Sequence, residues 1–293
     1  MASPAQPSPK DYAYNGPFDP ARFEAEYKKR FASVPKYNAV SIPDLQTLLA
    51  KIVADTRIKD VRWAAYMLAT AFIESSHTIK VAKQTKNPRG KLQTHTIKVW
   101  RNFTPIAEAG FGKGRAYQDP VKVLRVGNGA RVTERDGDQW DVSATGVARP
   151  VSKPAGTRGV TPGTPKSAVY VQAGGDEQLY YGRGYVQLTW WNTYATAGVC
   201  LGRGLEFLFN PEHTNAPDVA YAILAEGMLT GRIYANGRKF TDYFDQTKTD
   251  YLHARNMVNP GAKVAEKQTV AGYAESFEAA LLASKPAVQV AIP

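Results

Sequence analysis

One cysteine, Cys200, in 293 residues excludes an intrachain disulfide and a thiolate metal cluster. A buried, unreactive thiol is its expected state. Histidine is scarce too: His77, His95, His213 and His253 show no ligand spacing, so no catalytic metal site is expected and the chemistry needs no cofactor. Long apolar runs are absent. The longest nearly uncharged one, from Trp63 to Ile73, falls far short of the ~20 residues that span a bilayer, so no transmembrane anchor is expected. The opening MASPAQPSPK has no apolar core of a signal peptide and reads as a disordered tail. Acidic residues are in deficit, 26 against 37 Lys and Arg, for a net charge of +11. That excess favours an anionic partner: nucleic acid, lipid head groups or an anionic cell-wall polymer. With no zinc-finger spacing, RNP motif or Walker A loop, and with the basic residues scattered, charge alone does not choose among them.

What is present is an ordinary apolar fraction, 43% with 11% aromatic, enough to fold one large domain or two smaller ones. Phe23, Tyr27 and Phe31 lie four apart and predict a short amphipathic helix. Ser41, with Pro43 and Asp44 behind it, predicts a capped helix through Leu45, Leu48, Leu49, Ile52 and Val53. After Asp60, VRWAAYMLATAFIE is apolar on nearly every side, as in a buried central helix, and it ends in Glu74. Between Pro120 and Gln178 the texture changes. VKVLRV alternates at period two, GNG is a turn and ARVTE predicts the returning strand. Ser143 to Ala168 is crowded with Gly, Pro, Ser and Thr and reads as an exposed loop whose Lys153, Arg158 and Lys166 suit polymer, a partner or another copy. Helical texture resumes in WWNTYATAGVCLG, in PDVAYAILAEGMLTG with Asn215 as cap and Gly231 as stop, in DYLHARNMV and in VAEKQTVAGYAESFEAALLA. The expected architecture is a mainly α fold with a small β-rich insertion over 121–177, between tails at 1–17 and 285–293.

Two features point to chemistry. Glu74 closes an apolar helix, where desolvation would raise its pKa towards that of a usable general acid, unless it is only a carboxylate exposed at a helix end. The segment YYGRGYVQLTWWNTY, from Tyr180 to Tyr194, sets aromatic faces beside an Arg, a Gln, a Thr and an Asn around two glycines. Such a set suits a sugar, with apolar ring faces and a hydroxyl rim, and equally suits core packing around a tight turn. Glu134, Asp136 and Asp138 form an acidic knot that reads either as a turn or as a rival source of a catalytic base.

YYGRG-x-x-QLT-x-x-x-x-Y resembles the signature of family 19 glycoside hydrolases, the lysozyme-like chitinases and phage endolysins. AAYMLATAFIESSHT resembles the family's AYxLATAxHE helix and sets Glu74 at its general acid. PIAEAGFGKGRAY is similar to PIEEYGxGKGRxYG of the bacterial and phage branch and sets Glu108 at its second acidic position. DYLHARNMVNPG resembles DYxxARxxVNG, whose asparagine matches Asn259. The resemblance implies a lysozyme-like helical domain over 18–120 and 178–284. It also implies inverting hydrolysis, with Glu74 as acid, Glu108 as base and the pair ~6.5–9.5 Å apart. Tyr181, Arg183, Gln187, Thr189, Trp190, Asn192, Tyr194, Arg255 and Asn259 are then expected around substrate. Ile73 stands where the family has histidine, Ala107 replaces the first acid of the pair, and VNG has become VNPG.

The positive charge and the absence of a signal peptide favour peptidoglycan strands over chitin. They suggest synthesis in the cytoplasm and action in the periplasm or cell wall after release by another agent, without specific nucleic-acid binding. Chitin oligomers are the competing substrate, and a non-catalytic wall-binding or virion structural protein is the competing class.

Overall fold

The computed structural model describes residues 12–13, 16–88, 90–151 and 175–286. Lys153, Arg158 and Lys166, and most of both expected tails, lie outside them. The chain divides into two compact units, Met1–Thr104 with Arg238–Pro293, and Pro105–Gly237.

The first unit is built on helices α1 (Pro20–Phe31), α2 (Ile42–Ala54), α3 (Val61–Glu74), the short α7 (Tyr251–Ala254) and α8 (Val264–Ala283). Asp19 caps α1, its carboxylate accepting from the amides of Ala21 at 2.9 Å and Arg22 at 3.1 Å, with Pro20 in the first turn where no amide donor is needed. Asp60 caps α3 in the same way, through Arg62 N at 2.8 Å. α3 is buried along nearly its whole length and packs against α8, as does α1. Phe277 of α8 sits among Phe31, Tyr27, Phe103 and Phe72, with ring centroids 4.5–6.3 Å apart. Aromatic pairs at such spacings add to the burial of their area.

Two sequence expectations change here. Ser41 makes no cap hydrogen bond for α2. It is buried instead, donating to Asn102 Oδ1 at 3.3 Å and accepting from Asn102 N at 3.0 Å. The segment after Glu74 is a long hairpin that the sequence reading left unassigned, β1 (His77–Lys86) and β2 (Leu92–Arg101), in register from His77↔Arg101 to Lys86↔Leu92. Among the described residues no third strand joins it.

The second unit contains β3 (Ile106–Ala107), β4 (Val121–Val126), β5 (Gly129–Thr133), β6 (Gln139–Val142), β7 (Ala148–Pro150), β8 (Asp176–Gln178) and β9 (Arg183–Gly184). Its helices are α4 (Trp191–Cys200), α5 (Glu206–Phe209) and α6 (Pro217–Thr230). β4 to β8 form an antiparallel sheet in the order β7-β6-β5-β4-β8. The VKVLRV–GNG–ARVTE hairpin is β4–β5, and the sheet closes where Val121 pairs with Gln178, so the two ends of the inserted stretch lie side by side. Asn215 does not cap α6. Its Oδ1 accepts from Gly184 N at 3.1 Å and Ala216 is the capping residue, while Gly231 ends the helix at φ 73° as a left-handed stop.

The expected mainly α class is therefore overturned. Helices take 43% and strands 20% of the described residues, with one five-stranded antiparallel sheet and two smaller ones. Alternating β-branched and polar residues, in HTIKVAKQTK and LQTHTIKVWR as in VKVLRV, favour pleated pairing over helix. They raise the strand content well beyond a small insertion. Among the described residues no helix is long and apolar enough to cross a membrane.

Candidate functional site

In the first unit, Glu74 is the last residue of α3, and the turn behind it is clasped from below. Ser75 Oγ donates to Ala71 O at 2.6 Å and accepts from Phe103 N at 2.9 Å. Asn102 Nδ2 donates to Phe72 O at 3.0 Å and to Ser76 Oγ at 2.7 Å. Ser75 and Asn102 are fully buried. Phe103 holds a positive φ of 63°, a conformation rare for a bulky residue and sustained only where the surroundings fix it. The end of α3 is therefore rigid, and the direction of the Glu74 side chain with it.

The carboxylate of Glu74 does not lie in a purely apolar setting. Arg255, only 3% exposed, donates through Nη2 to Glu74 Oε1 and, at 2.7 Å, to Glu266 Oε1, which also receives Arg255 Nε at 3.1 Å. Burial works against the guanidinium charge, but Glu74, Tyr66 and Glu266 outweigh it and hold the Arg255 pKa above its ordinary value. One cation thus serves two carboxylates. Tyr66 and Thr70 precede Glu74 at successive four-residue steps, on the same face of α3. Their hydroxyls are buried beside Arg255 Nη1, which among the described residues has no hydrogen-bond partner.

In the second unit, the antiparallel pairing of β3 with β9 joins the PIAE segment to the YYGRG signature. Glu108 N donates to Gly182 O at 2.7 Å, and the Glu108 carboxylate accepts from Gly182 N at 3.2 Å and from Tyr117 Oη at 3.0 Å. Arg115 stands 3.7 Å away with its side chain 67% exposed. A Cβ at Gly182 would lie 2.7 Å from Gln187 Oε1 and 3.2 Å from Gln187 Cβ, so the Gln187 side chain would have to shift to admit it. This close approach explains the first signature glycine, and φ 80° at Gly184 explains the second.

Several signature residues expected around substrate serve the loop itself. Arg183 is 1% exposed and donates to Leu179 O at 2.8 Å, to Tyr194 Oη at 3.0 Å and to Glu212. Tyr194, fully buried, donates to Tyr181 O at 2.7 Å. Tyr181, 5% exposed, lies 3.6 Å under the guanidinium of Arg183 and bonds Glu212 at 3.1 Å. Gln187 Nε2 is spent on the carbonyls of Ile106 and Gly184, both at 3.2 Å. Trp190, Asn192 and Asn259 are exposed and Thr189 is half-buried.

Trp190 stands out, 46% exposed at φ 71°, so an apolar ring is presented to water from an unfavourable backbone conformation. It borders a cleft of about 610 Å³ lined by Tyr117, Trp191, Tyr180, Glu134, Arg135 and Asp119, among others, a size suited to a small ligand. A neighbouring hollow of about 440 Å³ shares Glu134, Trp190 and Trp191 and adds Trp140 and Asn192. Glu134 Oε1 accepts from Trp191 Nε1 at 2.8 Å. Glu134 to Asp138 form the turn between β5 and β6, closed by Glu134 N to Asp138 O at 2.8 Å, which is the turn reading of the acidic knot. The inserted sheet thus supplies one wall of the cleft. No local pattern signals this, because the contact between Glu134 and Trp191 spans 57 positions.

Among the described residues no group of three or more His, Cys, Asp or Glu is arranged to hold a metal ion. Cys200 is half-buried, and burial pushes its thiol pKa up. No protein-family model, curated protein or solved structure matches the chain.

Proposed function

We propose that the protein is a glycoside hydrolase cutting β-1,4-linked N-acetylated glycan of bacterial peptidoglycan by inversion. Glu74 protonates the leaving oxygen, and Glu108 activates the attacking water. The observation that carries this reading is the β3–β9 pairing. It gathers two pieces of the family 19 resemblance, distant in sequence, around one carboxylate, and sets that carboxylate between a tyrosine hydroxyl and a signature amide. The aromatic cleft beside Tyr117 supports it further, since Trp190 offers a flat apolar face next to carboxylate and amide groups. That combination matches the ring faces and hydroxyl rim of a pyranose.

Arg255 has a definite part in the same reading. Because it faces both Glu74 and Glu266, a proton on Glu74 still leaves the buried guanidinium with a full anionic partner in Glu266. Arg255 is therefore not left as an uncompensated buried charge during the proposed acid step, which would be costly. Peptidoglycan is preferred to chitin because the excess of Lys and Arg attracts a polymer bearing muramyl carboxylates.

The test is mass spectrometry of products released from purified sacculi by the wild type, Glu74→Gln and Glu108→Gln. Soluble muropeptides from the wild type and none from either variant are expected, and the reducing-end sugar assigns the bond. A wild type that releases nothing but still pellets with sacculi replaces this reading with that of a glycan-binding protein.

A further inference from the structure

The hairpin β1–β2 carries a charge pattern that its own stability does not explain. No acidic residue occurs between Glu74 and Glu108, while Lys80, Lys83, Lys86, Lys91 and Lys98 all fall on or at the tip of the ribbon. At its base Arg101 is neutralised by Asp44 at 2.7 Å. Among the described residues none of the five lysines has such a partner, and all five are exposed. Lys80 stands directly opposite Lys98 in the register, where like charges repel across the pair. Lysines on a lone ribbon also discourage pairing with a second copy, but that protection does not require two of them face to face.

The two halves of the ribbon differ. Near the base, Ile79, Val81, Ile97 and Val99 share one face and are half-buried. Beyond them both faces are exposed and, Ala82 and Leu92 apart, polar: Lys83, Gln84, Thr85 and Lys86 on one strand, Gln93, Thr94 and His95 on the other. Among the described residues the tip presents the isolated Leu92 in place of an apolar face to lay into a membrane, and the single His95 imidazole in place of the successive aromatic platforms on which single-stranded bases stack. It is a cationic rod, about 34 Å long at ~3.4 Å per residue, that rises three residues after Glu74 in the chain.

We infer that this ribbon binds carboxylate-bearing glycan strands through Lys80, Lys83, Lys86 and Lys98, holding the anionic wall polymer to the unit that carries Glu74. The identity of the polymer rests on the hydrolase reading, whereas the cationic contact does not. The test is co-sedimentation of the full chain with purified sacculi in 50 and 300 mM NaCl, between which the screening length falls from about 14 Å to about 6 Å. It is run in the Glu74→Gln background so that the polymer stays whole. Changing the four lysines to glutamine is expected to weaken binding at low salt by about tenfold or more and to flatten its salt dependence. Arginine at the same four positions is expected to retain it, and binding to uncharged chitin is expected not to change. Equal pelleting of the glutamine and parent proteins overturns the inference, as does an arginine variant that binds no better than the glutamine one. A glutamine variant that loses affinity for a 20-base-pair DNA duplex but keeps its affinity for sacculi also overturns it, and makes the ribbon a nucleic-acid element. Absence of muropeptides from wild-type digests with lysine-dependent pelleting of the Glu74→Gln protein intact removes only the hydrolase reading, and the reverse pattern removes only the ribbon.

Discussion

Glu74 and Glu108 are each held in place, but by different forces. Glu74 meets a buried guanidinium that it shares with Glu266, at the end of a helix fixed by Ser75 and Asn102. Glu108 meets two neutral donors, Tyr117 Oη and Gly182 N, and its cationic neighbour Arg115 is largely exposed. The first arrangement is electrostatic and deeply coupled to the fold of its unit. The second is geometric, set by a loop that glycine allows to close. Removal of the partner group should therefore be felt as lost stability around Glu74 and as lost positioning around Glu108.

Removing the proton donor is the largest change the comparison predicts. Glu74→Gln keeps an oxygen for Arg255 Nη2 but cannot supply a proton, so release of reducing ends from sacculi should fall by about 10²–10⁴-fold with the unfolding midpoint little altered. Activity within a few fold of wild type would mean that Glu74 is only an ion-pair partner. Next comes Arg255→Leu, which strands Glu74 and Glu266 beside a buried apolar side chain. A loss of about 3–5 kcal/mol is expected in denaturant unfolding, and a loss under about 1 kcal/mol would deny the cluster its structural role. Tyr117→Phe removes one neutral donor from Glu108 and should cost about 0.5–1.5 kcal/mol. If Glu108 is held by geometry, the loss should appear in kcat more than in KM for sacculus digestion.

These contrasts also show which parts of the fold and site were legible in the sequence. Helix α1 follows from period-four apolar spacing, α3 from a run apolar on nearly every side, α8 from its helical texture, and the β4–β5 hairpin from period-two alternation around GNG. Local signals suffice where a segment's own pattern decides its state. Ser41 and Asn215 failed as caps because each has a partner distant in the chain, Asn102 and Gly184, that outcompetes its own helix end. The β1–β2 ribbon was missed although it alternates, and with the sheet it overturned the mainly α expectation. At the site, Glu74 and Glu108 were legible as motif positions. The roles of Glu266, Tyr117 and Asn102 were not, because each rests on a contact that only the folded chain creates. Tyr181, Arg183 and Tyr194 were legible as a chemical cluster, but their polar atoms turned out to be used inside the loop.

That inner cluster gives a smaller, pH-dependent prediction for the second unit. The hydrogen bond from Arg183 lowers the pKa of the Glu212 carboxyl. The stability this pair lends is fully present above the unfolded glutamate value near pH ~4.3 and is lost as pH falls through the lower folded value. The gap in melting temperature between wild type and Glu212→Gln should therefore stay constant from pH 7 to about 5.5 and close below about pH 4. A gap that widens on acidification would contradict the pairing.

Arg115 offers the finest test, because it is the one charge that could make Glu108 resemble Glu74. At 3.7 Å with most of its side chain in water, its attraction is screened, and exposed pairs of this kind contribute about 0–1 kcal/mol. Tyr117 and Gly182 remain to orient the carboxylate when the guanidinium is removed. Arg115→Gln should thus shift the unfolding free energy by no more than about 0.5 kcal/mol and leave sacculus digestion within about threefold, a change worth under ~0.7 kcal/mol of barrier. A tenfold loss of activity would instead place Arg115 with Arg255 as a cation on which a carboxylate depends, and the distinction between the two acids would then be one of burial alone.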